Sequence, residues 1–143
     1  MAFPEPVPGL VIRYSYLWHE EYSKGREEGQ KDRPCAIIAA IRADDNGDTR
    51  VLVLPVTHTP PADPDLAIEI PLSVKQRLRL VDARSWIVLS EWNEFVWPGP
   101  DLRRLPESGG FEYGMLSPGL FASIRNAFLA VVRSRSASRV WRT

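Results

Sequence analysis

Polar and apolar residues alternate from Gly9 to Leu17, with Val11, Arg13 and Ser15 set against Ile12, Tyr14 and Tyr16. This two-residue period predicts a first strand. From Trp18 to Arg33 the chain is polar and charged, with glycines at 25 and 29, which predicts a long loop. Loops of that length inside a domain are usually functional or disordered. Pro34 to Ile41 is a nearly unbroken apolar run and reads as a central second strand. The stretch Asp44-Asp45-Asn46-Gly47-Asp48 predicts a hairpin turn, because Asn-Gly supplies the positive φ angles such turns need. Arg50 to Thr57 then returns as the third strand.

Thirteen prolines punctuate the chain and disfavour long helices through its first hundred residues. His58 to Asp65 is a proline-rich loop that cannot enter a sheet interior. Leu66 to Pro71 predicts a short strand and Leu72 to Leu78 one or two helical turns. Arg84 to Phe95 reads as one strand, with Trp86, Val88, Ser90 and Trp92 on one face and Ile87, Leu89 and Glu91 on the other. Pro98-Gly99-Pro100 ends it, and Phe111 to Leu116 gives a last short strand. Ser117-Pro118 opens a long helix, serine as N-cap and proline at the first helical position. Leu120, Ile124, Phe128 and Val131 form its apolar stripe. Together these elements predict a mainly β, α+β fold: a small barrel or curled sheet with a C-terminal helix, as one domain over residues 1–133. Residues 134–143 read as a basic, frayed tail.

Composition narrows the classes. The chain has 143 residues, 44% hydrophobic and 25% charged, which fits one soluble globular domain. No apolar run approaches the roughly 20 residues needed to span a bilayer, so no membrane partner is expected. The opening Met1-Ala2-Phe3-Pro4-Glu5-Pro6 has no basic-then-apolar pattern, so no secretory signal is expected. A lone cysteine, Cys35, fits a reducing, cytoplasmic compartment and reads as a buried strand residue. With two histidines, His19 and His58, a closed zinc site would have to draw on carboxylates, and neither metal nor cofactor is expected.

Net charge is zero, but its distribution is uneven: residues 114–143 carry +5 and residues 1–113 carry −5. Arginine outnumbers lysine fifteen to three, and its planar fork suits phosphate as well as carboxylate. The basic segment either pairs with the acidic body or serves an anionic partner.

Among common motifs there is no phosphate-binding glycine loop, no His-Glu-x-x-His, no Cys-x-x-Cys and no nucleophile elbow. Three weaker constellations remain. Arg33-Pro34 joins the charged loop to the second strand. Pro55-Val56-Thr57-His58 ends the facing strand, so the hairpin brings Arg33 and Thr57 to one open end. His58, beside them, is a candidate acid or base, since histidine titrates near neutrality. Glu91 and Glu94 stand among Trp92 and Trp97, whose rings can stack on bases or simply fill a core.

In their order and spacing these features resemble the MazF/PemK-like toxins of bacterial toxin–antitoxin systems. The resemblance rests on Gly9 opening the first strand, Gly25-Arg26-Glu27-Glu28 in the first loop, Arg33-Pro34 before CAIIAAI, and Pro55-Val56-Thr57 after RVLVL. Ser85 to Trp92 followed by Leu102-Arg103 extends it, so that it covers roughly residues 9–130. It implies a two-layer, SH3-like barrel of about five to seven strands with a C-terminal helix, usually a homodimer. It implies metal-independent endoribonuclease activity on single-stranded RNA and inhibition by a cognate antitoxin protein. Arg33 would stabilise charge on the phosphate and Thr57 would position it.

Three departures stand out. His58 occupies a position where the family commonly has serine, Arg26 stands where some members have histidine, and Val88-Leu89-Ser90-Glu91 lacks an arginine that some carry. The expected site therefore gathers Arg33, Thr57, His58 and Glu91 as catalytic residues. Arg26, Lys31 and Trp92 are expected to hold substrate. The missing second cation leaves open a non-catalytic RNA- or protein-binding module on the same barrel, including a gyrase-inhibitor-like toxin.

Overall fold

A computed structural model of the chain describes residues 3–25, 31–43, 47–81, 83–134 and 137–142. Among these, eight strands and three helices follow one another: β1 (Leu10–Tyr14), α1 (His19–Ser23), β2 (Arg33–Arg42), β3 (Thr49–Thr57), β4 (Ala67–Glu69), α2 (Leu72–Arg77), β5 (Trp86–Val88), β6 (Glu91–Val96), β7 (Glu112–Met115), α3 (Pro118–Arg133) and β8 (Ser138–Trp141). The strands form one curled sheet in the order β4-β5-β3-β2-β1-β7, with β6 also on β3 and β8 beyond β6. All pairings are antiparallel except β6 with β8. The mainly β, α+β class with a C-terminal helix is as expected, and the sheet stays open at its edges instead of closing into a barrel.

The β2–β3 hairpin is the centre of the fold, and both its faces are covered. Cys35 and Ile37 with Val51 and Val53 point to one core, alongside Ile12, Tyr14 and Phe95. Ala36 and Ile38 with Leu54 and Val56 point to the other, against Ile124, Phe128 and Val131 of α3. Strands buried on both faces lose the polar alternation of a one-sided strand, which is why this hairpin reads as continuous apolar runs. Ala43 N–H donates to the Asp48 carbonyl at 2.7 Å and closes the hairpin. Asp44, Asp45 and Asn46 of its expected turn lie outside the described residues.

Glycine is needed at two points. Gly9 has φ 96° and bridges two strands: its N–H donates to Ile37 O and its carbonyl accepts from Leu116 N–H. Gly114 has φ 136°, and a Cβ there would lie 2.8 Å from Leu78 Cδ2.

Three local expectations are revised. The first loop contains α1, whose first N–H, at His19, donates to Glu91 Oε1 at 2.9 Å. The strand expected over Arg84 to Phe95 is split into β5 and β6. At the break, Leu89 N–H turns to Leu66 O, while Ser90 O accepts from Ser138 N–H. The tail is not frayed over residues 138–141, where β8 lies beside β6.

Arg142 then plugs into the interior. Its Nη1 donates to Ser15 O and Asn93 Oδ1, both at 2.9 Å, and its Nη2 lies 3.0 Å from Asp101 Oδ2. Asn93 in turn holds both the N–H and the carbonyl of Leu17. The basic tail thus pairs with the acidic body. Among the described residues no helix is long and apolar enough to cross a membrane.

Candidate functional site

A cavity of about 640 Å3 opens where the hairpin's free end meets the end of α2. Residues 31–34, Val56 and His58 line it together with residues 77–81, Ser85, residues 105–108, Glu112 and Tyr113. The volume is in the range of small-ligand sites. Four cations line it, Lys31, Arg33, Arg77 and Arg79, and so do the carboxylates Asp32, Glu107 and Glu112. Asp32 is already engaged by Arg13 at 3.7 Å and Arg103 at 3.6 Å. Tyr113 also lines it, and burial raises its hydroxyl above its ordinary pKa.

Arg33 begins β2 and is fixed from two directions. Its Nη1 donates to the Val56 carbonyl at 3.2 Å, and its guanidinium carbon lies 4.8 Å from the Trp18 ring centroid. Its Nε–H is buried without an acceptor among the described residues. Thr57 ends β3 beside it, as the hairpin geometry implied. Thr57 Oγ1 accepts from Thr59 N–H at 3.2 Å, and the residue does not line the cavity.

His58 is exposed at the cavity mouth, and its ring is oriented by the backbone. Nδ1 lies 3.0 Å from the Arg84 carbonyl and 3.2 Å from Ser85 Oγ. A carbonyl only accepts, and Ser85 Oγ gives its own proton to Ala83 O at 3.0 Å. The neutral ring therefore carries its proton on Nδ1 and keeps the Nε2 lone pair. Arg84 is held in turn by a two-pronged pair with Glu69, at 2.8 and 2.7 Å. That bond holds the Glu69 carboxyl below its ordinary pKa.

The other expected residues separate. Lys31 lines the cavity, and Arg26 lies outside the described residues. Glu91 is half-buried and serves structure: its Oε1 accepts from the Tyr16 hydroxyl at 3.1 Å and from His19 N–H. Burial raises its pKa. Trp92 packs edge-on against Phe128 with centroids 5.4 Å apart, and its Nε1–H donates to Glu94 Oε1 at 3.3 Å. Neither Glu91 nor Trp92 reaches the cavity. Cys35 is fully buried, and burial pushes its thiol well up.

Sequence reasoning missed Arg77, Arg79, Ser85, Glu112 and Tyr113. The available signal was Arg77-Leu78-Arg79 closing a short helical segment, two cations flanking an apolar anchor. Among the described residues no three His, Cys, Asp or Glu gather as a metal site. No family model, curated protein or solved structure matches the chain.

Proposed function

We propose that the chain is a cytoplasmic endoribonuclease toxin of the MazF/PemK-like kind, cleaving single-stranded RNA in this cavity without a metal. One observation carries the reading: Arg33 and His58, the strongest phosphate-binding and proton-transfer candidates, line one cavity with three further cations. The order of motifs from Gly9 to Arg103 supports it. The reaction needs a base at the ribose 2′-hydroxyl, a cationic donor at the phosphate, and a proton for the leaving oxygen.

In the proposed step, His58 Nε2 takes the 2′-hydroxyl proton and the 2′-oxygen attacks the adjacent phosphorus. The bond to the 5′-oxygen then breaks, that oxygen takes a proton from water and leaves as a hydroxyl, and protonated His58 returns its proton to the resulting hydroxide. The products are a 2′,3′-cyclic phosphate and a 5′-hydroxyl end. Arg33, held by Val56 O and Trp18, faces the charge that builds on the phosphate, with Thr57 as its neighbour. A homodimer and a cognate antitoxin complete the proposal, both on the resemblance alone.

A second reading, a binding module that does not cut, has one observation in its favour. Glu91, expected as a catalytic carboxylate, lies outside the cavity. The test is incubation of single-stranded RNA with the protein in EDTA, comparing wild type, Arg33→Ala and His58→Ala, with folding checked by circular dichroism. Cleavage to cyclic-phosphate ends is expected, slowed on the order of 100-fold or more by either substitution. No cleavage at high protein concentration, or cleavage indifferent to both substitutions, rejects the enzyme. RNA binding without cleavage selects the second reading.

A further inference from the structure

We infer that Arg79 is a phosphate-binding residue of the cavity, contacting a phosphate of a bound single-stranded RNA; the choice of ligand rests on the reading above. The inference starts from the backbone. Helix α2 ends in a Schellman turn: Leu80 N–H donates to Lys75 O at 2.8 Å, and Arg79 N–H to Gln76 O at 3.2 Å. Arg79 thereby takes φ 57°, the one positive φ at a non-glycine residue among those described. Glycine is the residue that this position favours, because a Cβ is strained there.

The two hydrogen bonds of the turn offset that strain in the backbone, but the Arg79 side chain adds nothing to them. Arg79 is exposed, and among the described residues its guanidinium makes no hydrogen bond or ion pair. It does line the cavity, as do Lys31 and Arg33. An arginine kept where glycine would serve the turn, with its guanidinium uncommitted at a cleft that three other cations line, points to a binding role.

The surroundings define the ligand class. Arg77, two residues earlier, is tethered through Nη2 to Met115 O at 2.8 Å, and Asp32 is occupied by Arg13 and Arg103. Of the two cations at the end of α2, Arg79 is thus the untethered one. In the same cavity Leu80, Leu105 and Tyr113 offer apolar surface for a nucleobase. A cationic arm next to an apolar floor suits a nucleotide better than free phosphate.

The experiment uses a short mixed-sequence 2′-O-methyl RNA, which binds but lacks the attacking hydroxyl. Binding by fluorescence anisotropy over a salt series is compared for wild type, Arg79→Gly and Arg79→Lys, with thermal denaturation of each. Arg79→Gly is expected to raise Tm by a few degrees, weaken binding about tenfold at low salt, and lower the salt slope by about 0.7, the value for one phosphate contact on a single strand. Arg79→Lys should retain the slope and the wild-type Tm. Unchanged affinity and slope in Arg79→Gly overturns the inference, and so does a lowered Tm, which would make Arg79 a structural residue. A wild type that fails to bind the oligonucleotide overturns it as well. RNA that is bound through Arg79 but never cut rejects only the endoribonuclease reading.

Discussion

Replacing Arg142 by alanine should destabilise the fold more than any surface arginine change. Arg142 is 4% exposed and joins three segments distant in sequence: Ser15 O, Asn93 Oδ1 and the Asp101 carboxylate. Its guanidinium also lies over the Tyr14 ring, 5.6 Å from the centroid. Removing one member of a buried ion pair typically costs about 3–5 kcal/mol, because the partner keeps its desolvation penalty without its counter-charge. Two features favour the low end. Arg103 Nη2 stays 3.8 Å from Asp101 Oδ1, and Asn93 keeps its bonds to Leu17.

A loss of about 3 kcal/mol is therefore expected for Arg142→Ala. With unfolding entropy near 2.1 cal/mol/K per residue, that lowers the Tm of a 143-residue chain by about 10 °C. Lysine at 142 restores the charge but not the fork, so roughly half the loss should remain. Arg139, 57% exposed and 3.8 Å from Glu94 Oε1, is the control: Arg139→Ala should cost less than about 1 kcal/mol. Urea unfolding followed by tryptophan fluorescence measures all three. An Arg142→Ala loss no larger than that of Arg139→Ala would refute the claim that the tail is locked by this buried network.

Two further outcomes follow from buried titratable groups. Glu91 has its pKa raised by burial, so the stability it contributes is complete below its unfolded value of about 4.3 and is lost as pH rises through its folded value. Glu91→Gln keeps the Oε1 acceptor that serves both Tyr16 and His19, so it should flatten this decline and be no less stable at neutral pH. An unchanged stability–pH curve would count against it. Cys35, fully buried with its thiol pushed up, should react with iodoacetamide only as fast as the chain unfolds; prompt stoichiometric labelling of the native protein would contradict this.

The elements legible in the sequence are those whose stabilisation is local or strongly patterned. The β2–β3 hairpin shows itself by two apolar runs around Asn-Gly, and α3 by its proline start and apolar stripe. What escapes is specified by distant partners. Strand β8 has one fully buried apolar side chain, Val140, amid serine and arginine, and exists because β6 offers an edge and Asp101 a counter-charge. The β5–β6 break is written in neither propensity nor pattern, but in a change of partner, from Leu66 for Leu89 to Ser138 for Ser90. The site divides the same way. Arg33 and His58 could be placed because a hairpin fixes which residues share its open end. Arg77 and Arg79 could not, since it takes the turn ending α2 to bring them to that rim.

Zero net charge is thus the sum of two separate balances. In the C-terminal segment Arg139 pairs with Glu94, and Arg142 with Asp101, so part of the +5 is spent holding the chain's end against its acidic body. Arg125 and Arg133 remain on the exposed side of α3, outside the cavity. At the cavity the balance differs: four cations face three carboxylates, of which Asp32 is already engaged by Arg13 and Arg103. The local excess is positive where the chain as a whole is neutral. An anion should therefore sense Lys31, Arg33, Arg77 and Arg79, while the most basic stretch of the sequence acts mainly on stability. Binding and folding defects should separate along that line, with Arg79 substitutions changing salt dependence and Arg142 substitutions changing Tm.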